Sequence, residues 1–136
     1  MSVIANDKNE DVYIGIGLPL THNRSGFFYK TKTSLEQAKS NIKNLLMTRK
    51  GERLGNPEFG SELLAVIFEQ EGEDIENKVE EAIRSAMSQW LPFIIIDEIE
   101  TNFSERNRNV INVSIGFSIN VDTTNKSKLS IDLANY

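Results

Sequence analysis

The side chains that most often carry out chemistry are scarce in this sequence of 136 residues. Cysteine is absent, which excludes disulfides, thiolate metal sites and a thiol nucleophile. His22 is the only histidine, and its polar Thr-His-Asn-Arg setting is typical of an exposed side chain rather than a catalytic base. Gly15-x-Gly17 lacks the third glycine and the following helix of a dinucleotide-binding loop. We therefore expect no cofactor, no metal ion and no catalytic triad.

One enzymatic hypothesis rests on a pair of carboxylates. Glycoside hydrolysis minimally needs two carboxyl groups that flank the sugar, and Glu52 and Glu58 lie in the same predicted loop. The chain has 20 acidic residues, however, so close pairs arise easily by chance. Nothing in the sequence indicates that either carboxyl group is buried, as a catalytic acid usually is. We therefore predict that the chain is not an enzyme, and we keep cell-wall hydrolysis as an alternative.

The acidic balance of the chain argues against a nucleic-acid partner. Its formal net charge is -5 and its pI is about 4.9, whereas phosphate binding needs a basic surface. No apolar run approaches the ~20 residues that cross a bilayer, and the stretch Met1 to Asp11 is polar and acidic rather than a signal peptide. We expect one compact domain over residues 1–136, made and used in a cytoplasm, with no membrane partner.

The first helix is predicted from a capping box. Thr33 followed three residues later by Glu36 can satisfy free amide groups at a helix start. Gly51 is predicted to stop this helix and to act as a left-handed cap, with Arg49 and Lys50 in the last turn, where they would serve as helix caps. The apolar residues of this helix recur at spacings of three and four: Leu35, Ala38, Ile42, Leu45 and Leu46.

Two further helices follow a proline turn. Asn56-Pro57 predicts a tight turn that extends to Gly60, after which Ser61 can cap a short helix ending at Gly72. The third helix is predicted up to Trp90, because Pro92 disfavours helical geometry at Leu91. Its apolar stripe consists of Ile75, Val79, Ala82, Ile83, Ala86, Met87 and Trp90.

The last third of the chain has the composition of a β-meander. A strand is predicted from Phe93 to Phe103, a polar turn from Ser104 to Asn109, and a second strand from Ile111 to Val121 with one buried face. Asp122 to Ser127 reads as a turn. The third strand has Leu129, Ile131 and Leu133 at alternate positions.

The predicted fold class is α+β, with three helices followed by a small antiparallel β-meander whose sheet keeps open edges. Residues 1–32 form an irregular N-terminal arm or a short strand near Val12 to Ile16, residues 33–91 the helical part, and residues 92–136 the meander. Within the arm, Phe27-Phe28-Tyr29 is either core or an anchor for another chain, and burial is favoured. Lys126 and Lys128 are predicted to be solvated turn residues, with protection of the sheet edge as the alternative.

The segment from Thr48 to Gly60, TRKGERLGNPEFG, together with the preceding Asn41 to Leu46, resembles the signature of the baseplate wedge and sheath-initiator family. This family is shared by contractile phage tails, related injection particles and type VI secretion baseplates, and some of its members have been labelled lysozymes. The likeness extends from Tyr13 to Pro19, through the third helix and Trp90-Leu91-Pro92, into the strands, so it covers most of the chain. One departure is clear: where the family often has Glu-Pro-Arg, this chain has Leu91-Pro92-Phe93.

The resemblance implies a structural subunit of a tail baseplate, located in the virion and, during assembly, in the host cytoplasm. Its implied partners are other baseplate wedge proteins, the tail sheath protein, and the tail tube or hub proteins. An adaptor of a type VI secretion or related injection particle is the alternative, which neighbouring genes would distinguish.

Two groups of residues are interface candidates. Arg53, Pro57 and Phe59 belong to the motif, where Phe59 could equally be an apolar plug between helices and Arg53 could dock against acidic neighbours. Leu129, Ile131 and Leu133 belong to the last strand, which we expect to pair with a strand of the sheath. On this hypothesis, removing residues 128–136 leaves the rest folded and stops sheath assembly.

Overall fold

The computed structural model describes residues 12–22, 28–68, 74–104 and 110–134. Over these residues the fold is α+β, as predicted, with helices that precede a three-stranded antiparallel sheet and a separate two-stranded ribbon. No helix of the described chain is long and apolar enough to cross a membrane. The elements are β1 Gly15–Ile16, β2 Lys30–Thr31, α1 Ser34–Met47, α2 Leu63–Phe68, α3 Ile75–Trp90, β3 Ile94–Phe103, β4 Val110–Ile119 and β5 Asp122–Ala134.

Helix α1 begins where the capping box predicts. The Thr33 hydroxyl oxygen accepts a hydrogen bond from the backbone N–H of Glu36 at 3.2 Å, as an N-cap does. The Glu36 carboxylate accepts from the backbone N–H of Lys32 at 3.1 Å, one residue earlier than a standard capping box requires. The start of α1 is therefore fixed by local sequence.

The end of α1 differs from the prediction, because the helix stops at Met47 rather than near Gly51. The Thr48 hydroxyl donates to the carbonyl of Asn44 at 2.6 Å, and the backbone of Thr48 is extended. The carbonyl of Leu46, which a longer helix would use, accepts instead from the Ser61 hydroxyl at 2.9 Å. The predicted positions of Arg49 and Lys50 in the last helical turn are therefore wrong.

Helices α2 and α3 agree with the apolar pattern. The Ser61 hydroxyl accepts from the backbone N–H of Leu63 at 3.4 Å, at the start of α2. Helix α3 ends at Trp90, and the N–H of Leu91 bonds the carbonyl of Met87 at 2.8 Å before Pro92 turns the chain. The buried apolar side chains of the three helices are Ala38, Ile42, Leu45, Leu46, Leu63, Ile67, Val79, Ile83, Ala86 and Met87.

The sheet has the order β3-β4-β5, so β4 lies in the centre. Every odd-numbered apolar residue of β4 is buried, and Phe117 is fully inaccessible. The even positions are less exposed than predicted, since Ser114 and Ser118 are also buried. Long side chains from β3 and β5 cross over these small residues, which explains the difference.

Strand β5 begins at Asp122, so the predicted turn from Asp122 to Ser127 is wrong. The hairpin turn is instead formed by Asn120 and Val121. Ile119 lies opposite Asp122, whereas Ser118 lies opposite Lys126, so residues 123–125 form a bulge within β5. Residues 123–125, which are polar residues of the types found in turns, therefore form a bulge inside a strand.

The two-stranded ribbon is fastened to α1 by polar contacts. The backbone N–H of Leu18 donates to the Ser40 hydroxyl at 3.1 Å, and the Thr31 hydroxyl donates to the Gln37 side chain at 2.6 Å. The strand predicted near Val12 to Ile16 is confirmed only as Gly15–Ile16.

The aromatic residues of the ribbon lie outside the core. Phe28 and Tyr29 are 45% and 44% exposed, so burial was the wrong choice for these two residues. His22 is exposed, as predicted, and stacks on Phe28. The predictions for the Ser25-Gly26 turn, for Phe27, for Gly72, and for residues 1–11 and 105–109 lie outside the described residues.

Candidate interaction surfaces

The motif that resembles the family signature forms a closed loop between α1 and α2, and we name residues 48–61 the Pro57 loop. At its base the N–H of Ser61 donates to the carbonyl of Thr48 at 2.9 Å. Across its middle the N–H of Gly51 donates to the carbonyl of Pro57 at 2.6 Å, and the predicted turn is closed from Phe59 N–H to the Asn56 carbonyl at 3.1 Å. These hydrogen bonds hold the loop as a defined projection.

Two glycines of the Pro57 loop have backbone conformations that other residues rarely adopt. Gly51 has φ of 88° and Gly60 has φ of 136°. A Cβ atom on Gly60 would lie 2.5 Å from the carbonyl oxygen of Thr48 and 2.9 Å from the backbone nitrogen of Lys50. Gly60 is therefore required both by its conformation and by the close approach of the two ends of the loop.

The predicted interface residues Arg53, Pro57 and Phe59 come together on this loop. The Arg53 guanidinium lies 4.0 Å from the centroid of the Phe59 ring, and Phe59 packs edge-on against Trp90 at 5.2 Å. Phe59 is half-buried against α3, which fits the plug interpretation, whereas Arg53 and Pro57 are exposed. Arg53 forms no ion pair with any described carboxylate, so its N–H groups remain available to a partner.

Sequence reasoning missed the most exposed apolar side chain of the described chain. Leu54, next to Arg53, has a relative exposure of 101%. The adjacent Gly55 has no atoms within 4 Å of the position of a Cβ. Leu54 is therefore presented at the tip of the loop. Only the high polarity of the flanking residues could have indicated this exposure.

Arg49 and Lys50 do not cap a helix. The Arg49 guanidinium lies over the ring of Phe68, 4.7 Å from its centroid. The Lys50 ammonium pairs with the Glu62 carboxylate at 3.0 Å, and both side chains are exposed. Arg49 thus contacts α2 and Lys50 pairs with the residue that precedes it, whereas Arg53 lies over Phe59 within the loop itself.

The two carboxylates of the hydrolase hypothesis are both exposed. The Glu52 carboxylate accepts a hydrogen bond from the backbone N–H of Arg49 at 2.9 Å, which gives it a structural role in the loop. Glu58 lies in the turn that follows Pro57. Neither group has the apolar surroundings of a catalytic acid. Among the described residues, no three His, Cys, Asp or Glu side chains are arranged to hold a metal ion.

The second candidate surface is the outer edge of β5. Leu129 is half-buried, while Ile131 and Leu133 are 3% and 2% exposed and belong to the core. Ile131 and Leu133 therefore face the core, so a partner would meet β5 mainly through the backbone at the strand edge. Their burial also argues against the expectation that the fold survives removal of residues 128–136, because that deletion would open the core.

Lys126 and Lys128 lie in β5 rather than in a turn, and their side chains extend over β4. The Lys128 ammonium contacts the Glu100 carboxylate at 2.7 Å, and the Lys126 ammonium contacts the Asp97 carboxylate at 3.4 Å. The hydrogen bond from Lys128 lowers the pKa of Glu100 below its usual value and, reciprocally, raises the pKa of Lys128. Both lysines are therefore drawn away from the outer edge of β5.

The two edges of the sheet differ in regularity. Strand β3 has its register shift at Asp97, because Ile96 pairs with Phe117 and Glu98 pairs with Gly116. Strand β5 has an unbroken register from Lys126 to Ala134. Both edge strands carry a bulge, but the regular stretch is longer in β5, from Lys126 to Ala134, than in β3, from Glu98 to Phe103. The longer regular edge offers more backbone hydrogen bonds to a further strand.

Comparisons with known proteins identify the fold. A search of curated proteins by sequence finds no match. Among solved structures, a putative tail lysozyme from Geobacter sulfurreducens has a TM-score of 0.67 at 19% identity, over 76% of this chain and 93% of that chain. A chain of the anti-feeding prophage baseplate has a TM-score of 0.65 at 15% identity, and the match covers 80% of this chain and 86% of the prophage chain.

A chain of the type VI secretion system baseplate complex has a TM-score of 0.60 at 12% identity, over 74% of this chain and 92% of its own. At these identities the likeness establishes a shared fold. The family assignment comes from the sequence itself, because residues 33–124 match the model of the family described as baseplate wedge protein gp25. This match spans α1, the Pro57 loop and the strands as far as the start of β5. It confirms the resemblance found in the motif, and the chain belongs to the baseplate wedge protein gp25 family.

Proposed function

We propose that this protein is a non-enzymatic structural subunit of a contractile tail baseplate, and that it starts sheath assembly by pairing the edge of β5 with a strand of the first sheath subunits. Family membership supports the location in a baseplate. The observation that carries the proposed role in sheath initiation is the regular outer edge of β5, with which no strand of the described residues pairs.

Strand addition suits a joint that must be repeated identically around a ring. Backbone hydrogen bonds along the edge supply a directional contact, and side chains at alternate positions select the partner. The unbroken register from Lys126 to Ala134 corresponds to an edge about 30 Å long at ~3.4 Å per residue. The regular part of β3 spans only Glu98 to Phe103, which makes β3 less suited to the same task.

The Pro57 loop supplies a second contact in this proposal, to neighbouring wedge proteins. The Arg53 guanidinium lies over the Phe59 ring, which restricts its positions before a partner arrives. Leu54 beside it offers an apolar tip. A partner with an apolar recess bordered by carboxylates would complement both groups. Tail tube or hub proteins are further candidates for contacts of the assembled baseplate.

The test of sheath initiation uses charge on the two edge strands. Ser130→Lys with Asp132→Lys places two lysines on exposed positions of β5, where lysine discourages strand pairing. Glu98→Lys with Asn102→Lys makes the same change in net charge on exposed positions of β3. Electron microscopy of assembled tails counts the sheathed fraction for each variant.

We expect the β5 variant to reduce the sheathed fraction at least tenfold and the β3 variant to leave it near wild type. Both variants should remain folded, because the altered side chains are exposed, and melting curves check this. The β5 variant also loses the hydrogen bonds that Asn112 donates to Ser130 and Asp132, so its melting temperature should fall slightly. Normal sheaths on tails that carry the β5 variant would contradict the proposed joint.

The non-enzymatic character is tested separately with peptidoglycan. The purified protein should release no soluble fragments from cell-wall preparations, because Glu52 and Glu58 are exposed and Glu52 is engaged by Arg49. Hydrolysis that disappears in Glu52→Gln or Glu58→Gln would instead establish the lysozyme activity. An adaptor role in a secretion or injection particle would use the same surfaces and is distinguished by the neighbouring genes.

A further inference from the structure

The N-terminal end of β5 is built differently from the rest of the strand. The Asp122 carboxylate accepts hydrogen bonds from the Thr124 hydroxyl and from the Asn125 amide, both at 2.6 Å. These bonds fold residues 123–125 into the bulge between Asp122 and Lys126. We name residues 122–125 the Asp122 clasp. Both of these hydrogen bonds join residues of the clasp to one another, so its shape has a local cause.

The clasp interrupts the edge that β5 presents. A bulge rotates the strand and disrupts the regular spacing of backbone donors and acceptors, so pairing with a further strand ends there. Beyond Asn125 the register with β4 is continuous as far as Ala134. The edge therefore has one defined limit, and its regular part lies beyond the residues that match the family model.

Both faces beside the regular edge also constrain a partner. On the inner face an incoming strand would lie next to Leu129, Ile131 and Leu133, so apolar side chains at alternate positions would extend the core. On the outer face its neighbours would be Ser130 and Asp132, which are exposed. The ammonium groups of Lys126 and Lys128 are drawn over β4 by their acidic partners and do not block the edge.

We infer that β5 docks its partner only along residues 126–134, that the Asp122 clasp sets the register by ending the pairing, and that the docked strand alternates apolar residues with neutral or basic polar residues. This inference rests on the proposed role in sheath initiation. It adds the length, the limit and the side-chain pattern of the joint. Asp132 favours a basic or neutral residue at the nearest outer position of the docked strand.

Site-specific cross-linking tests this limit, because the chain has no native cysteine. Ser130→Cys places a thiol on the regular edge and Thr123→Cys places one in the clasp, at two exposed positions of the same strand. Each variant is labelled with benzophenone maleimide, assembled into baseplates with the sheath protein of the same particle, and irradiated. Asn102→Cys on β3 serves as the control for random encounters.

We expect the cross-link to sheath at position 130 to exceed that at position 123 at least tenfold. Similar yields at both positions would show that the pairing does not end at the Asp122 clasp, although the sheath would still be paired with β5. Yields at both positions no higher than at position 102, in particles with normal sheaths, would overturn the joint itself. The failure of the limit and the failure of the proposed function therefore give different results.

A second variant tests the clasp directly. Asp122→Ala removes the acceptor for Thr124 and Asn125, so the label at position 123 should then cross-link to sheath several-fold more than in the intact clasp. Thr124→Val removes one of the two hydrogen bonds and should give an intermediate yield. Melting curves establish that each variant is folded. An unchanged yield at position 123 in folded Asp122→Ala would show that the clasp does not end the pairing.

Discussion

Replacement of Gly60 by alanine should destabilise the protein more than any other single glycine-to-alanine change in the Pro57 loop. The new Cβ would lie 2.5 Å from the Thr48 carbonyl oxygen, which is closer than side chains are found in folded proteins. The backbone at φ of 136° adds a conformational penalty of about 1–3 kcal/mol. Relief of the clash would also weaken the hydrogen bond from Ser61 to Thr48, worth about 1 kcal/mol. We expect a total loss of about 2–4 kcal/mol in the free energy of unfolding.

Two other glycines of the same loop separate these contributions. Gly51 has φ of 88° but no atoms near its Cβ position, so Gly51→Ala should cost only the conformational part, about 1–2 kcal/mol. Gly55 has open space and no left-handed backbone, so Gly55→Ala should be neutral or should stabilise by up to about 1 kcal/mol.

Urea unfolding monitored by circular dichroism gives the three values. With a typical slope of about 2 kcal/mol per molar urea, Gly60→Ala should lower the midpoint by about 1–2 M. The order Gly60, then Gly51, then Gly55 is the result expected from the geometry. A Gly60→Ala variant as stable as wild type, or less affected than Gly51→Ala, would refute the close approach of the two ends of the loop.

Three further predictions concern the core, the cross-sheet ion pair and the aromatic stack. Phe117→Ala should lower the free energy of unfolding by about 3–5 kcal/mol in urea titrations, whereas Phe103→Ala, at a half-exposed position, should cost less than about 1 kcal/mol; equal losses would contradict the burial of Phe117. Because Lys128 lowers the pKa of Glu100, the pair stabilises the fold above the usual carboxyl pKa, and this contribution is lost as the pH falls through the lowered pKa. The difference in urea midpoint between wild type and Glu100→Gln should therefore be present at neutral pH, shrink in acid and shrink in high salt; a difference that grows in acid would contradict the pairing. Phe59→Ala should shift the fluorescence emission of Trp90, the only tryptophan, while Phe68→Ala should leave it unchanged, and an unchanged spectrum in Phe59→Ala would contradict the stack.

The elements that could be predicted from the sequence are those fixed by neighbouring residues. The start of α1 depends on Thr33 and Glu36, the end of α3 on Pro92, and the burial of β4 on a strict alternation. In each case the pattern that allows the prediction lies within a few residues. The family resemblance of the Pro57 loop could be recognised for the same reason, since its motif is one continuous stretch of sequence.

The features that could not be predicted depend on contacts between distant residues. Helix α1 stops early because Ser61, on the far side of the loop, takes the carbonyl of Leu46. Lys126 and Lys128 form ion pairs with Asp97 and Glu100 of β3, on the other side of β4. These partners are almost 30 residues away in the sequence, so the pairs cannot be predicted from the neighbouring residues. Polarity alone gave a turn for residues 122–127, because the same residue types form turns and bulges.

The candidate surfaces were predicted in part. Arg53, Pro57 and Phe59 were named from the motif, and the structure brings them together on one loop. Leu54 was missed because the only local sign of its exposure is the polarity of the flanking residues. Leu129, Ile131 and Leu133 were also predicted interface residues, and they lie in the edge strand β5. The side chains of Ile131 and Leu133 face the core, so the backbone of this strand is the main surface that a partner can use.

A cryo-electron microscopy map of the assembled baseplate with its first sheath ring tests the central proposal most directly. The proposed joint predicts a strand of a sheath subunit running beside residues 126–134, hydrogen-bonded to the outer edge of β5 and ending before the Asp122 clasp. A map in which that edge faces solvent or another wedge protein, with the sheath attached elsewhere, would contradict it.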